Sequence, residues 1–200
     1  MVAKARQIGQ RGIFCLEGEW DKDLRLRRSV LPILVMLESH GSASHIHRDV
    51  GTRGELALYL EKFGQKRYDH FEVLFLAFHG SRGNIYVEDN AVSIEDLADM
   101  IGDSARGKII YFGSCATLNA SPERLKQFQE RTGARFVAGY TRNVDMITTC
   151  AFEVALLDAL AFYSRPGDAF NYLRTKALSS TAKALGFKAV AARSSAGLGL

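Results

Sequence analysis

Residues 108–117 read KIIYFGSCAT, an apolar run that stops at a glycine and a cysteine. Ile109, Ile110, Tyr111 and Phe112 are β-branched or aromatic without polar alternation, the pattern of a strand buried on both faces of a parallel sheet. Cys115 falls where that strand ends. Residues 73–78, VLFLAF, have the same grammar and stop at His79-Gly80. If the two runs are neighbouring parallel strands, His79 and Cys115 emerge together at the carboxyl edge, where open α/β sheets build their sites.

Outward from these two runs, strands alternate with helices. GIFCL at residues 12–16 and HIHRDV at 45–50 read as strands. Thr52-x-x-Glu55 opens a helix as a capping box, with Leu56, Tyr59, Leu60 and Phe63 on one apolar face. Ile85 to Val87 reads as a small hairpin arm after the turn-rich SRGN. Ser93 and Asp96 start a helix that Gly102 can end, and Ser121-Pro122-Glu123 starts another. Residues 135–140 give a fifth strand and 187–192 a sixth. Pro32 sits in the first turn of a helix from Val30. The run from Ile147 to Phe162 is apolar nearly all round, broken chiefly by Glu153 and Asp158, so it packs in the domain or against a partner. A last helix is expected through Phe170, Leu173 and Ala177. This alternation predicts an α/β sandwich with a mostly parallel central sheet of five or six strands flanked by helices.

The chain of 200 residues fits one domain, residues 1–200, with 1–11 and 194–200 loose. Hydrophobic residues at 47% and charged residues at 24% are ordinary for a globular protein and argue against disorder. The net charge is +4, with arginines at 6, 11, 25, 27 and 28 read as a solvated basic surface. Nucleic-acid binding is not expected. Cys15, Cys115 and Cys150 are three, widely spaced, and form neither a disulfide framework nor a zinc ribbon. That usage implies a reducing compartment. With no apolar segment after the basic N-terminus, a cytoplasmic location and no membrane are expected.

A cysteine hydrolase needs a thiolate, a histidine that protonates the leaving group, and donors for the oxyanion. All five histidines precede Cys115, which excludes the α/β-hydrolase and papain-like orders, where the histidine follows the nucleophile. His45 and His47 put both rings on one strand face, but no third ligand stands at a usual spacing, so no metal is expected. HGSRG is not a dinucleotide fingerprint and no P-loop occurs. No cofactor is expected.

The motifs FHG and FGSC at the ends of successive buried strands resemble the caspase-like (clan CD) cysteine peptidases, which include caspases, gingipains, separase and CHAT-domain proteases. The likeness covers residues 12–163, and the wording FHGSRGNIYV and YFGSCATL is most similar to small bacterial CHAT-like and separase-like proteins. It implies a caspase-like three-layer sandwich and a cysteine endopeptidase acting on a protein or peptide. It makes His79 and Cys115 the catalytic dyad and the N–H groups of Gly80 and Cys115 the oxyanion hole. Relatives place an acid after the fifth strand, which here is Asp145, with Asp89 as a substitute. Either would read a basic P1 residue. Asp145 can equally cap the following helix, and Arg142 or Arg48 would favour an acidic P1. Two other readings stay open: a catalytically silent signalling or interaction module of the same fold, and hydrolysis of a non-protein amide or thioester by the same residues.

Overall fold

The structure, a computed structural model, describes residues 11–175, 178–191 and 198–199. Its first half runs β1 (Gly12–Glu17), α1 (Leu31–Ser39), β2 (His45–Asp49), α2 (Arg53–Phe63), β3 (Phe71–Ala77), β4 (His79–Ser81), β5 (Asn84–Val87), β6 (Asn90–Ser93) and α3 (Ile94–Ile101). The second half runs β7 (Ile109–Phe112), α4 (Pro122–Thr132), β8 (Phe136–Tyr140), α5 (Met146–Phe162), α6 (Pro166–Thr175), α7 (Leu178–Ala184), β9 (Phe187–Ala191) and β10 (Leu198–Gly199).

The main sheet has the order β10-β9-β8-β7-β3-β1-β2. Strands β2, β1, β3, β7 and β8 are parallel, whereas β9 and β10 run antiparallel to their neighbours. Alternate residues of each central strand feed two separate cores. Ile13, Val73, Phe75, Ile109 and Tyr111 pack with α1, α5, α6 and α7. Phe14, Leu74, Leu76, Ile110 and Phe112 pack with α2, α3, α4 and the hairpin strands. Helices on both faces explain the unbroken apolar runs, since every residue of β7 is buried. The result is the three-layer α/β sandwich expected from the sequence.

Several local signals operate as read. Thr52 and Ser93 each form a capping box, with Glu55 and Asp96 respectively. Ser121 caps α4, with Pro122 in its first turn. The hairpin arm is larger than expected, a three-stranded antiparallel sheet β4-β5-β6 that begins at His79 itself. Helix α5 is covered within the domain, with Phe152, Leu156, Leu157 and Leu160 buried, although Ile147 is 77% exposed.

Three expectations need correction. Arg11, read as part of a solvated basic surface and a loose N-terminus, is only 5% exposed. Its guanidinium pairs with Glu72 at 2.8 Å and donates to the carbonyls of Leu160, Tyr163 and Ser164. Those carbonyls at the end of α5 lack helical partners, and a planar fork of donors satisfies several at once. Arg6 lies outside the described residues. The tail is not loose throughout: Leu198 and Gly199 pair with Ala189 and Lys188 and give the sheet a seventh strand. The last helix is two helices, α6 and α7; Ala177 falls between them, outside the described residues, as does Ala192 at the end of the sixth predicted strand. Among the described residues no helix is long and apolar enough to cross a membrane.

Candidate functional site

Strands β3 and β7 are parallel neighbours in register, Leu76 opposite Phe112. His79 and Cys115 each lie three residues beyond that last pair, on the same edge. Gly113 N–H donates to the Leu76 carbonyl at 2.9 Å, carrying the sheet's bonding one residue further. The two side chains line one cavity of about 290 Å³ together with Trp20, Arg28, Val144, Asp145, Cys150 and Glu153. Cys115 is half-buried, and His79 is exposed at the cavity mouth.

The loop bearing Cys115 is tied down on both sides. Ser114 and Thr117 hydroxyls are 2.7 Å apart, and the Thr117 hydroxyl donates to the Asn84 carbonyl of the hairpin at 3.0 Å. On the other side Ala116 N–H donates to the Arg142 carbonyl and Leu118 N–H to that of Tyr140. Ala116 is held at φ +52°, the left-handed region that costs a non-glycine residue energy and clusters at functional sites. The Cys115 sulfur accepts from Val144 N–H at 3.4 Å. The Cys115 N–H itself donates no hydrogen bond among the described residues.

Gly80 is required by close approach. A Cβ there would stand 2.6 Å from both the Cys115 carbonyl oxygen and the Thr117 hydroxyl. The hairpin therefore seats directly on the cysteine loop, and only glycine lets it do so.

His79 is oriented by Trp20, in the loop after β1. Its Nε2 lies 2.9 Å from the Trp20 carbonyl oxygen, and the indole ring packs edge-on at 5.2 Å between ring centroids. A carbonyl can only accept, so Nε2 carries the proton and Nδ1 is left to exchange one. Trp20 is in turn anchored by Glu17, the last residue of β1. The Glu17 carboxylate accepts from Trp20 Nε1 at 2.5 Å, Ser29 Oγ at 2.6 Å, Val30 N–H at 2.7 Å and His47 Nε2 at 2.6 Å. Burial alone would push this carboxyl up, but the bonds from His47, Ser29, Trp20 and Val30 outweigh it and hold Glu17 below the usual carboxylate range.

Tertiary structure gives His47, but not His45, additional potential ligand neighbours. Glu17, His47 and Asp49 bring one donor atom each within 4.8 Å of one another. Both Glu17 oxygens are already taken by four protein donors, so the set is an anchored hydrogen-bonded cluster whose carboxylate is saturated. His45 pairs instead with Glu38 at 2.9 Å. A second cavity, of about 560 Å³, adjoins the first through Trp20 and Arg28 and is walled by the exposed Leu24 and Leu26.

Of the two carboxylates expected at the substrate pocket, one lines the cavity and the other does not. Asp145 lines the cavity but is exposed, and it is the N-cap of α5, accepting from Thr148 N–H at 2.9 Å and Thr148 Oγ1 at 3.1 Å. Asp89 sits in the turn between β5 and β6, ion-paired with Lys22 at 2.9 Å and away from the cavity-lining residues. Glu153, noticed in the sequence only as an interruption of an apolar helix, lines the cavity and is 2% exposed. Its Oε1 accepts from Tyr111 OH at 2.6 Å and has Tyr140 OH at 3.5 Å, the two phenols themselves being hydrogen-bonded at 2.7 Å. Desolvation raises its carboxyl to about 7, although both phenols oppose that rise. An acid inside a nearly all-apolar helix, one of only two there with Asp158, was the available signal.

Comparison with known proteins places this fold. A model of a family of unknown function, DUF6642, matches residues 10–185. No curated protein matches. Among solved structures, the chain is similar to a secreted C11 cysteine protease from Bacteroides thetaiotaomicron bound to an irreversible peptide inhibitor, with a TM-score of 0.57 and 14% identity. The match covers 82% of this chain and 57% of that one, so this chain spans just over half the length of the protease. The shared architecture is the caspase-like sandwich.

Proposed function

The chain belongs to the family of unknown function DUF6642, and from its own residues we propose that it is a cysteine endopeptidase. The observation that carries this reading is the meeting of His79 and Cys115 in one cavity at the ends of adjacent parallel strands, with the His79 Nε2–H held on the Trp20 carbonyl.

In this reading the Cys115 thiolate attacks the peptide carbonyl carbon, and the oxyanion takes the N–H groups of Gly80 and Cys115. The tetrahedral adduct collapses as His79 Nδ1–H gives its proton to the departing amine, leaving an acyl-thioester and a neutral, Nε2-protonated ring. Nδ1 then takes a proton from water as it attacks the thioester, and collapse of that adduct expels the Cys115 thiolate beside the protonated ring, the pair from which the cycle began. The backbone carbonyl of Trp20 does the orienting that a carboxylate does in other triads. No cofactor takes part in the scheme. A basic P1 residue is part of the proposal, although Asp89 lies away from the cavity and the Asp145 carboxylate at it is engaged in capping α5. The cytoplasmic assignment rests on three free cysteines.

The test is cleavage of a peptide library by wild type, Cys115→Ala and His79→Ala, with native-state alkylation followed by mass spectrometry. Each substitution should cost about a thousandfold or more in turnover. Iodoacetamide should mark Cys115 first, because burial raises the thiols of both Cys15 and Cys150. Activity unchanged in Cys115→Ala would remove the assignment. A folded wild type that binds peptides without cutting them would select the silent interaction module instead.

A further inference from the structure

Glu153 is a buried carboxyl that the dyad chemistry does not use. It projects from the second turn of α5 to the ends of β7 and β8, and it is 2% exposed. Both phenols that reach it, Tyr111 and Tyr140, lie against the same oxygen, Oε1, and one of their two protons is taken by the 2.7 Å bond between them. Among the described residues Oε2 receives no hydrogen bond, nor is it enclosed as a buried orphan atom. Glu153 lines the cavity that holds Cys115. Gly113 keeps the way open: a Cβ at that position would lie 3.1 Å from Glu153 Oε1 and 2.4 Å from the Phe75 ring.

The other charges at the cavity are spoken for. Arg28 lies 3.4 Å from Asp21, and the Asp145 carboxylate is engaged by Thr148 at the helix cap. A buried carboxylate without a cationic partner is unfavourable, and a cation that arrives with a ligand relieves it. The group that suits it carries positive charge and several N–H donors on an apolar stem, so that the stem lies along Trp20, Val144 and Met146 while the head reaches Oε2.

We propose that Glu153 makes this cavity a binding site for a single guanidinium or ammonium head group, and that it, rather than Asp145, is the acid that selects a basic substrate side chain beside Cys115. This deepens the peptidase reading and rests on it for the word substrate, but the binding site stands or falls by itself. Selection also follows from the ionisation of Glu153. Tyr111 on β7, Tyr140 on β8, Glu17 at the end of β1 and Cys150 on its own helix face it, with His79, Arg28 and Asp145 around the cavity. Among these only Arg28 carries a permanent positive charge.

The experiment uses n-butylguanidinium and its uncharged isostere n-butylurea, titrated by NMR into Cys115→Ala so that no turnover is required. The guanidinium should bind at least tenfold more tightly than the urea. Glu153→Gln, which keeps an acceptor for the two phenols, should erase that preference, and Asp145→Asn should leave it within about twofold. With the Glu153 carboxyl present, guanidinium affinity should rise several-fold as pH passes upward through about 7 while urea binding stays flat. This pH series tests the same site if Glu153→Gln fails to fold. Equal binding of the two probes, a preference that survives Glu153→Gln, or a loss in Asp145→Asn alone would overturn the inference. If the preference behaves as expected and wild type cleaves no arginyl peptide, the peptidase reading fails and the cation site remains.

Discussion

Glu17 and Glu153 are equally hidden, each 2% exposed, and both lie on the sheet face that α1 and α5 cover. Their chemistry is nonetheless opposite. Glu17 has four donors shared over both oxygens, enough to keep a charge in the interior, and its carboxyl is held low. Glu153 has two phenols on one oxygen, which is too few, and desolvation carries it to about 7. Burial does not set the charge of a carboxyl; the count of donors that follow it inside does. The saturated glutamate is an anchor for the Trp20 strap behind His79. The under-satisfied one is available to a ligand.

The sharpest way to break this contrast is to delete the anchor. Glu17→Ala leaves His47, Ser29, the Trp20 indole and the Val30 N–H without their acceptor, and should lower stability by about 3–5 kcal/mol in denaturant unfolding. Where the variant is still folded, turnover should drop further than substrate affinity, because the Trp20 carbonyl no longer holds His79. If Glu17→Ala proves as stable as wild type, Glu17 is not an anchor.

The pH dependence of stability separates the two acids next. Glu153 has a raised carboxyl, so its contribution is intact below the unfolded carboxylate range and is lost as pH rises through about 7. The loss should be on the order of 3 kcal/mol between acid and mildly alkaline pH, and Glu153→Gln should flatten it. Glu17 has a lowered carboxyl and acts in the other direction: its stabilisation is present above the unfolded range and is lost as pH falls through its folded value. Thermal melts of wild type and Glu153→Gln across pH check both. A wild-type curve that does not decline relative to Glu153→Gln would contradict the assignment.

The smallest effect expected is that of trimming one donor. Ser29→Ala removes a single bond of 2.6 Å from Glu17 and leaves three. A loss of about 1–2 kcal/mol with turnover changed by only a few-fold would agree with a redundant anchor. An effect as large as Glu17→Ala would make Ser29 the critical member.

Much of this molecule was legible in its residues. The runs at 73–78 and 109–112 are too apolar to be anything but interior strands, and the short-range signals at Thr52, Ser93 and Ser121 were read correctly because capping acts over three residues. The adjacency of β3 and β7 follows from the same pattern, and it brings His79 and Cys115 to one edge. The antiparallel turn of β9 and the seventh strand β10 were not legible, since strand direction at a sheet edge leaves no periodic trace. Nor was the burial of Arg11, which depends on carbonyls some 150 positions away, at 160, 163 and 164.

What the sequence determined by itself is the order of the main strands and helices and the two strand ends that carry His79 and Cys115, because these depend on periodicity and on neighbours within a few positions. Only the tertiary structure decided which acid meets the cavity. Asp145 looked like the pocket acid and lines the cavity as an exposed helix cap, Asp89 lies on a hairpin turn away from it, and Glu153 looked like a flaw in an apolar helix and lines the cavity as a buried carboxyl. A carboxyl's role is set by the donors, burial and open space around it, and here those come from strands 13 and 42 positions away along the chain.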